Sequence, residues 1–299
     1  MYICGFMGQK KLIRFEELKT FPNVLQYPTG MKGKWHSFFK NQNPIILELA
    51  CGKGEYALGL GRMSRQKNFI GVDIKGNRIW KGAKNALQES LNNIAFLRTQ
   101  IDKITEYFDK DEVNEIWITF PDPQLRLSKI KKRLTHPGFL RLYQQFLQQN
   151  GSVHLKTDSP DLYNFTKTVI RLYNLDLVID YDDIYAQQNI SDELKIKTHY
   201  EVLDIAQSKK VHYLQFKINQ QLPVEKDSEL KELFVKSLIE NIDFYFNENG
   251  LMVLTESYLK ERGYCCGNGC SNCPYNYEAV PQPRRSQLLK ERRERSHET

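Results

Sequence analysis

The sequence predicts a doubly wound, mostly parallel α/β sheet with an antiparallel edge strand and a small C-terminal extension. Three observations predict it. Apolar strand-like runs alternate with helical periods over most of the 299 residues. The run Ile45-Ile46-Leu47-Glu48-Leu49 passes into the glycine turn Cys51-Gly52-Lys53-Gly54. A second apolar run, Asn68-Phe69-Ile70-Gly71-Val72, ends in Asp73, nineteen residues beyond Gly54, the spacing of a ribose-binding acid in a nucleoside-binding βαβ unit.

In chain order, strands are expected near 45–50, 68–73, 94–99, 114–120, 151–156, 176–181 and 211–218. Helices are expected near 54–65, 77–92, 101–108, 136–149 and 160–173. The last two strands are joined by a long polar segment from Asp182 to Lys210, which suits a hairpin with an elaborated loop and hence an antiparallel edge. Residues 1–40 read as an arm and 41–221 as the sheet domain. From 222 to 299 the pattern changes to one amphipathic helix over ELKELFVKSLIENIDFYF, a cysteine cluster and a basic tail.

Composition sets broad limits. A hydrophobic content of 40% is ample for a packed core. No apolar run approaches the roughly 20 residues that span a bilayer, and the N-terminus lacks a signal-peptide pattern, so a cytoplasmic protein with no membrane partner is expected. The net charge of +7 is unevenly spread: Lys129, Lys131, Lys132 and Arg133 cluster, as do Arg284, Arg285, Arg292, Arg293 and Arg295, which makes a polyanion a plausible partner.

The site expected from the residues is an acidic crevice. Gly52 and Gly54 let the backbone touch a ligand, and Glu48 is a carboxylate in an otherwise apolar strand, which needs a hydrogen-bonding partner or a polar pocket. The dinucleotide fingerprint G-x-G-x-x-G is not completed, because Ala57 holds the third place, and Glu48 and Glu55 would repel a pyrophosphate. A strand from Glu115 to Phe120 then runs into Pro121-Asp122-Pro123, whose prolines hold Asp122 stiffly, and the strand Val153–Thr157 ends on Asp158. Ligands of open α/β sheets bind outside the carboxyl ends of the strands, so Glu48, Asp73, Asp122 and Asp158 should converge.

The form E-x-x-C-G-x-G resembles motif I of the class I methyltransferases. The segment FPDPQLRLSKIKKRLTHPGFLRLYQQFLQQNGSVHLKTD resembles the bacterial tRNA (guanine-N7)-methyltransferase family, whose hallmark is F-P-D-P-W-P-K-K-R-H-x-K-R-R-L with a later K-T-D. Gly33-Lys34-Trp35, Gly71-Val72-Asp73 and Thr198-His199-Tyr200-Glu201, where the family carries T-x-Y-E, extend the match in order over residues 34–218. The family's Trp-Pro-Lys is here Gln124-Leu125-Arg126, a guanidinium fork in place of an ammonium. The resemblance implies a class I methyltransferase sheet and transfer of a methyl group from S-adenosyl-L-methionine to N7 of the variable-loop guanine of tRNA, position 46. It assigns Glu48, Gly52, Gly54, Asp73, Gln100 and Asp122 to the cofactor. Asp122 and Asp158 become catalytic residues that stabilise charge developing on the base, and Asp158, Thr198 and Glu201 hold the guanine. Arg126, Lys131, Lys132 and Arg133 meet tRNA phosphates at the pocket mouth. A small-molecule methyltransferase or a non-catalytic RNA-binding or metal-carrying protein is the alternative, and a monomer or homodimer is expected.

The C-terminal module lies outside that family's pattern. Cys265, Cys266, Cys270 and Cys273 fall within nine residues in a chain with no secretory signal, which disfavours disulfides and makes a zinc ion or an iron–sulfur centre the expected occupant. The segment resembles short C-C-G-x-G-C-x-x-C-P-Y modules of unassigned role. Cys51 reads as a small turn residue unrelated to the cluster.

Overall fold

The computed structural model describes residues 5–203, 210–234 and 238–297. Outside them lie Cys4, the 204–209 stretch of the polar connection, 235–237 within the expected C-terminal helix, and the last two residues of the tail. The chain forms two compact units, Met1–Leu230 and Lys231–Thr299.

The first unit is built on eight strands: β1 (Val24–Gln26), β2 (Ile45–Leu49), β3 (Asn68–Asp73), β4 (Ile94–Arg98), β5 (Val113–Thr119), β6 (Leu147–Thr157), β7 (Asp176–Tyr181) and β8 (His212–Lys217). Their order is β1-β4-β3-β2-β5-β6-β8-β7, with β8 antiparallel to both of its neighbours and the other pairings parallel. The helices are α1 (Gly5–Thr20), α2 (Trp35–Phe39), α3 (Glu55–Met63), α4 (Gly76–Gln88), α5 (Pro137–Tyr143), α6 (Pro160–Leu172), α7 (Asp192–Lys195), α8 (His199–Leu203) and α9 (Lys226–Phe234). Every residue of β2 and β3 is buried, as expected of central parallel strands covered on both faces. Strand order reverses between β2 and β5, the place where an open sheet leaves a crevice at its carboxyl edge.

Several elements depart from the sequence expectation. The arm contributes a strand, since β1 pairs with β4 through the register Val24 to Phe96 and extends the sheet by one edge. The helix expected over 136–149 stops at Tyr143. Phe146 and Leu147 turn inward as fully or nearly fully buried residues and β6 begins at once, with Leu147 opposite Val113 and a register shift before Glu115. The four-residue spacing of Leu142 and Phe146 suits both periods, and the core takes the extended one. The helix expected at 101–108 is a 3-10 helix, Ile101–Glu106.

The second unit holds the hairpin β9 (Phe244–Phe246) and β10 (Met252–Leu254), then α10 (Glu256–Glu261) and α11 (Arg284–His297). The single C-terminal helix expected through Phe246 is therefore not formed. α9 ends at Phe234. Asn241 adopts φ +64°, Asp243 accepts from the Ile239 N–H, and the alternating Phe-Tyr-Phe enters the hairpin instead.

Candidate active site

At the carboxyl edge of β2, β3, β5 and β6 lies a cavity of about 740 Å³. The turn after β2 shapes its floor. Ala50, Gly52 and Gly54 all have positive φ, of 56°, 57° and 70°. A Cβ on Gly54 would stand 2.5 Å from the Phe96 ring, so only glycine lets α3 start this close to β4, whereas a Cβ on Gly52 would meet nothing within 4 Å. Asp73 ties the turn down: Oδ2 accepts from the Gly52 N–H at 3.0 Å and Oδ1 from the Lys75 N–H at 2.8 Å. Each oxygen keeps a second acceptor position for a ligand hydroxyl.

Glu48 sits deeper, 3% exposed. Its carboxyl accepts from the Ala57 N–H at 2.8 Å and the Thr119 hydroxyl at 3.1 Å. Burial outweighs these bonds and, with the charges of Glu55 and Asp73, pushes its pKa up from 4.5 to about 8. A carboxyl so raised favours its protonated form at neutral pH, and a cation beside it would favour ionisation.

On the far wall, Phe120 and Gln124 take positive φ on either side of Pro121-Asp122-Pro123, and Asp122 bonds the Gln124 N–H at 3.0 Å. Asp122 is exposed at the mouth; Asp158, half-buried after β6, and buried Thr198 complete that wall. Glu48, Gly52, Asp73, Asp122, Asp158 and Thr198 therefore do line one cleft.

Glu201 lies behind Thr198 rather than in the cleft. The Thr198 hydroxyl accepts from the Glu201 N–H at 3.2 Å and Glu201 Oε2 from the Thr198 N–H at 3.3 Å, a reciprocal cap that starts α8. The same Oε2 receives the Lys156 ammonium at 3.0 Å, Oε1 receives the Tyr185 hydroxyl, and Lys156 also donates to the Leu194 and Ile196 carbonyls at 3.0 and 2.8 Å. Lys156 is fully buried, and burial draws its pKa down against the pull of Glu201. This cluster fixes Thr198 to the end of β6. The sequence reading did not single out Lys156 as a positioning residue.

The basic segment divides in two. Arg126 precedes the 3-10 helix Leu127–Lys132, on which Lys129, Lys131 and Lys132 are exposed. Arg133 is only 4% exposed; it donates to the Pro123 carbonyl at 3.0 Å and lies 4.6 Å over the Phe165 ring, so it braces the Pro-Asp-Pro turn. Gln100 is exposed, stands at the N-cap position before Ile101 without a side-chain capping bond, and does not line the cleft. Lys75, Arg78 and Ser159 line it without having been singled out in the sequence.

The profile of a family described as "Putative methyltransferase" matches residues 42–214. Two relatives, each named tRNA (guanine-N(7)-)-methyltransferase, are from Bacteroides fragilis, 46% identical over 72% of this chain and 88% of its own, and from Christiangramia forsetii, 46% identical over 71% of this chain and all of its own. This chain belongs to the tRNA (guanine-N7)-methyltransferase family. The Porphyromonas gingivalis member is 45% identical over 72% of this chain and 90% of its own. Among solved structures, that of the 16S rRNA methyltransferase KamB covers 66% of this chain and 99% of its own at 13% identity, with a TM-score of 0.49. The C-terminal unit of this methyltransferase matches, over residues 235–279, a family of unknown function.

In that unit the cysteines meet in pairs, Cys266 Sγ to Cys270 Sγ at 3.3 Å and Cys273 Sγ to Cys265 Sγ at 3.9 Å. Each separation is near the edge of a tetrahedral thiolate site, about 3.8 Å for metal–sulfur bonds of about 2.3 Å. Among the described residues, however, no three such donors converge on a metal position. The described cysteines are free thiols, Cys51 among them, buried at the glycine turn.

Proposed function

We propose that the protein transfers a methyl group from S-adenosyl-L-methionine to N7 of the variable-loop guanine of tRNA. The observation that carries this reading is the single acidic cleft formed by the glycine turn, Asp73, Asp122 and Asp158 in a chain of this family. S-adenosyl-L-methionine supplies an activated methyl on a sulfonium. Guanine N7 holds a free lone pair and no proton, so the protein's task is alignment rather than removal of a proton. The Gly52–Gly54 backbone gives close approach, Asp73 receives ribose hydroxyls, and Glu48 offsets the cofactor's positive charge. Asp122 and Asp158 accept from the guanine N1 and N2 protons and stabilise the positive charge that develops on the purine. Thr198, pinned by Lys156 and Glu201, orients the base edge. Glu201 and Arg133 act through the walls they brace, Gln100 contacts the cofactor from the outer end of β4, and Arg126, Lys131 and Lys132 meet tRNA phosphates. Drawing the guanine from its stack costs a few kcal/mol, which those phosphate contacts offset.

For the C-terminal thiols, zinc or an iron–sulfur centre is supported by cysteine spacing alone, and metal analysis of the purified protein tests it. A monomer or homodimer working in the cytoplasm completes the reading. The catalytic part is tested with two tRNA transcripts that differ only in 7-deazaguanosine in place of guanosine, which lacks the N7 acceptor. Labelled methyl should enter the first and not the second; equal labelling of both would overturn the reading.

A further inference from the structure

Thr198 is carried into the cleft by the long connection between β7 and β8 and not by the end of a strand. The connection begins with a short 3-10 helix, Ile184–Ala186, that is fixed to the residue before β8. The Ile184 N–H donates to the Val211 carbonyl at 2.8 Å, and the Ile184 side chain is fully buried. Asp183 Oδ1 accepts from the Tyr185 N–H at 3.1 Å and from the Val211 N–H at 3.4 Å.

Tyr185 links this anchor to the wall of the cleft. Its hydroxyl donates to Glu201 Oε1, while Lys156 Nζ and the Thr198 N–H donate to Oε2 at 3.0 and 3.3 Å. The Glu201 side chain is 5% exposed, so these donors, in place of water, satisfy its carboxylate. Donors on one oxygen alone leave a carboxylate free to swing; a donor on each oxygen fixes its plane, and with it the cap that holds Thr198. The Thr198 hydroxyl accepts from the Glu201 N–H at 3.2 Å, which leaves the hydroxyl proton for an acceptor outside the cap. Lys197, next to Thr198, lies 5.5 Å over the Tyr185 ring, so ring and hydroxyl both address the 197–201 segment. Tyr185 itself is 48% exposed and does not line the cleft.

We propose that Tyr185 is a positioning residue for methyl transfer: through Glu201 it sets where the Thr198 hydroxyl stands against the base. The proposal rests on the methyl-transfer reading above. The tie joins the two ends of the connection across 16 residues and makes one rigid piece of the 3-10 helix, the buried Lys156–Glu201 pair and Thr198.

The test compares steady-state methyl transfer to tRNA by wild type, Tyr185→Phe, Thr198→Ala and the double variant. Tyr185→Phe removes one hydroxyl from a half-exposed side chain and keeps the ring, so the variant folds, and unchanged affinity for S-adenosylhomocysteine verifies an intact cleft. Its kcat should fall about tenfold, with KM for tRNA changed less than about twofold, because alignment is lost and phosphate contacts are not. Thr198→Ala removes the group through which Tyr185 acts, so adding Tyr185→Phe to it should cost less than about a further twofold. A Tyr185→Phe kcat equal to wild type, a loss confined to KM or shared by S-adenosylhomocysteine affinity, or losses that multiply in full in the double variant would each overturn the proposal. Wild type that transfers no methyl to tRNA would overturn the methyl-transfer reading, and this proposal with it.

Discussion

Replacing Glu48 with Gln removes one ionisation from the cleft proposed to hold the cofactor and keeps its shape. A carboxyl raised from 4.5 to about 8 by burial carries a penalty of about 5 kcal/mol against its charged form. At pH 7 it is therefore about nine-tenths protonated while the cleft is empty. An opposite charge within roughly 4–6 Å favours the ionised carboxyl by about 1–3 pH units, which brings Glu48 to neutrality or below. Binding the cationic cofactor at pH 7 should thus release between about 0.4 and 0.9 proton. Calorimetric titration in two buffers of different ionisation heat reads this directly, and the release should fall towards zero at pH 9, where Glu48 is already ionised. The linkage has a definite sign. A folded-state pKa above the unfolded one contributes stability that is complete below about 4.5 and is lost as pH rises through about 8. The unliganded wild type should therefore lose melting temperature between pH 5 and pH 9 more steeply than Glu48→Gln. Binding heats independent of buffer at pH 7, or the same proton release from Glu48→Gln, would refute the reasoning.

Three further outcomes are expected. Gly54→Ala forces a Cβ to 2.5 Å from Phe96 at φ +70°, and should destabilise by about 1–3 kcal/mol in urea while weakening cofactor binding at least tenfold; Gly52→Ala, with open space around its Cβ, should cost about 1–2 kcal/mol. Lys156→Met leaves the Glu201 carboxylate without its buried partner and should destabilise by about 3–5 kcal/mol, and adding Glu201→Gln should recover about 1 kcal/mol or more, read as coupling in a double-mutant cycle. Lys131→Glu with Lys132→Glu should leave cofactor affinity unchanged, weaken tRNA binding and flatten the dependence of log Kd on log salt by about 1.4–1.8.

What could be read from sequence was whatever local spacing encodes. Glu48, Gly52, Gly54 and Asp73 fall within one strand–turn–helix–strand unit, and the Pro-Asp-Pro turn and Asp158 each end a strand, so the parallel sheet alone brings them to one edge. Roles fixed by distant partners were less legible. Arg133 sits in a basic run that resembles a solvated helix face, yet its carbonyl and ring contacts come from Pro123 and Phe165 and take it inside. Glu201 meets Lys156 across 45 residues of chain, a pairing no period announces. β1 is three residues long, too short for a pattern, and is a strand because β4 offers an edge. The 136–149 segment carries both periods, and burial of Phe146 and Leu147 decides between them.

The most direct measurement is transfer of labelled methyl from S-adenosyl-L-methionine to unmodified tRNA, followed by chemical cleavage at N7-methylguanosine to map the product. A single cut in the variable loop, lost with Asp122→Asn and Asp73→Ala, is the predicted result. Label at another base, or none with folded protein and intact tRNA, would contradict the account.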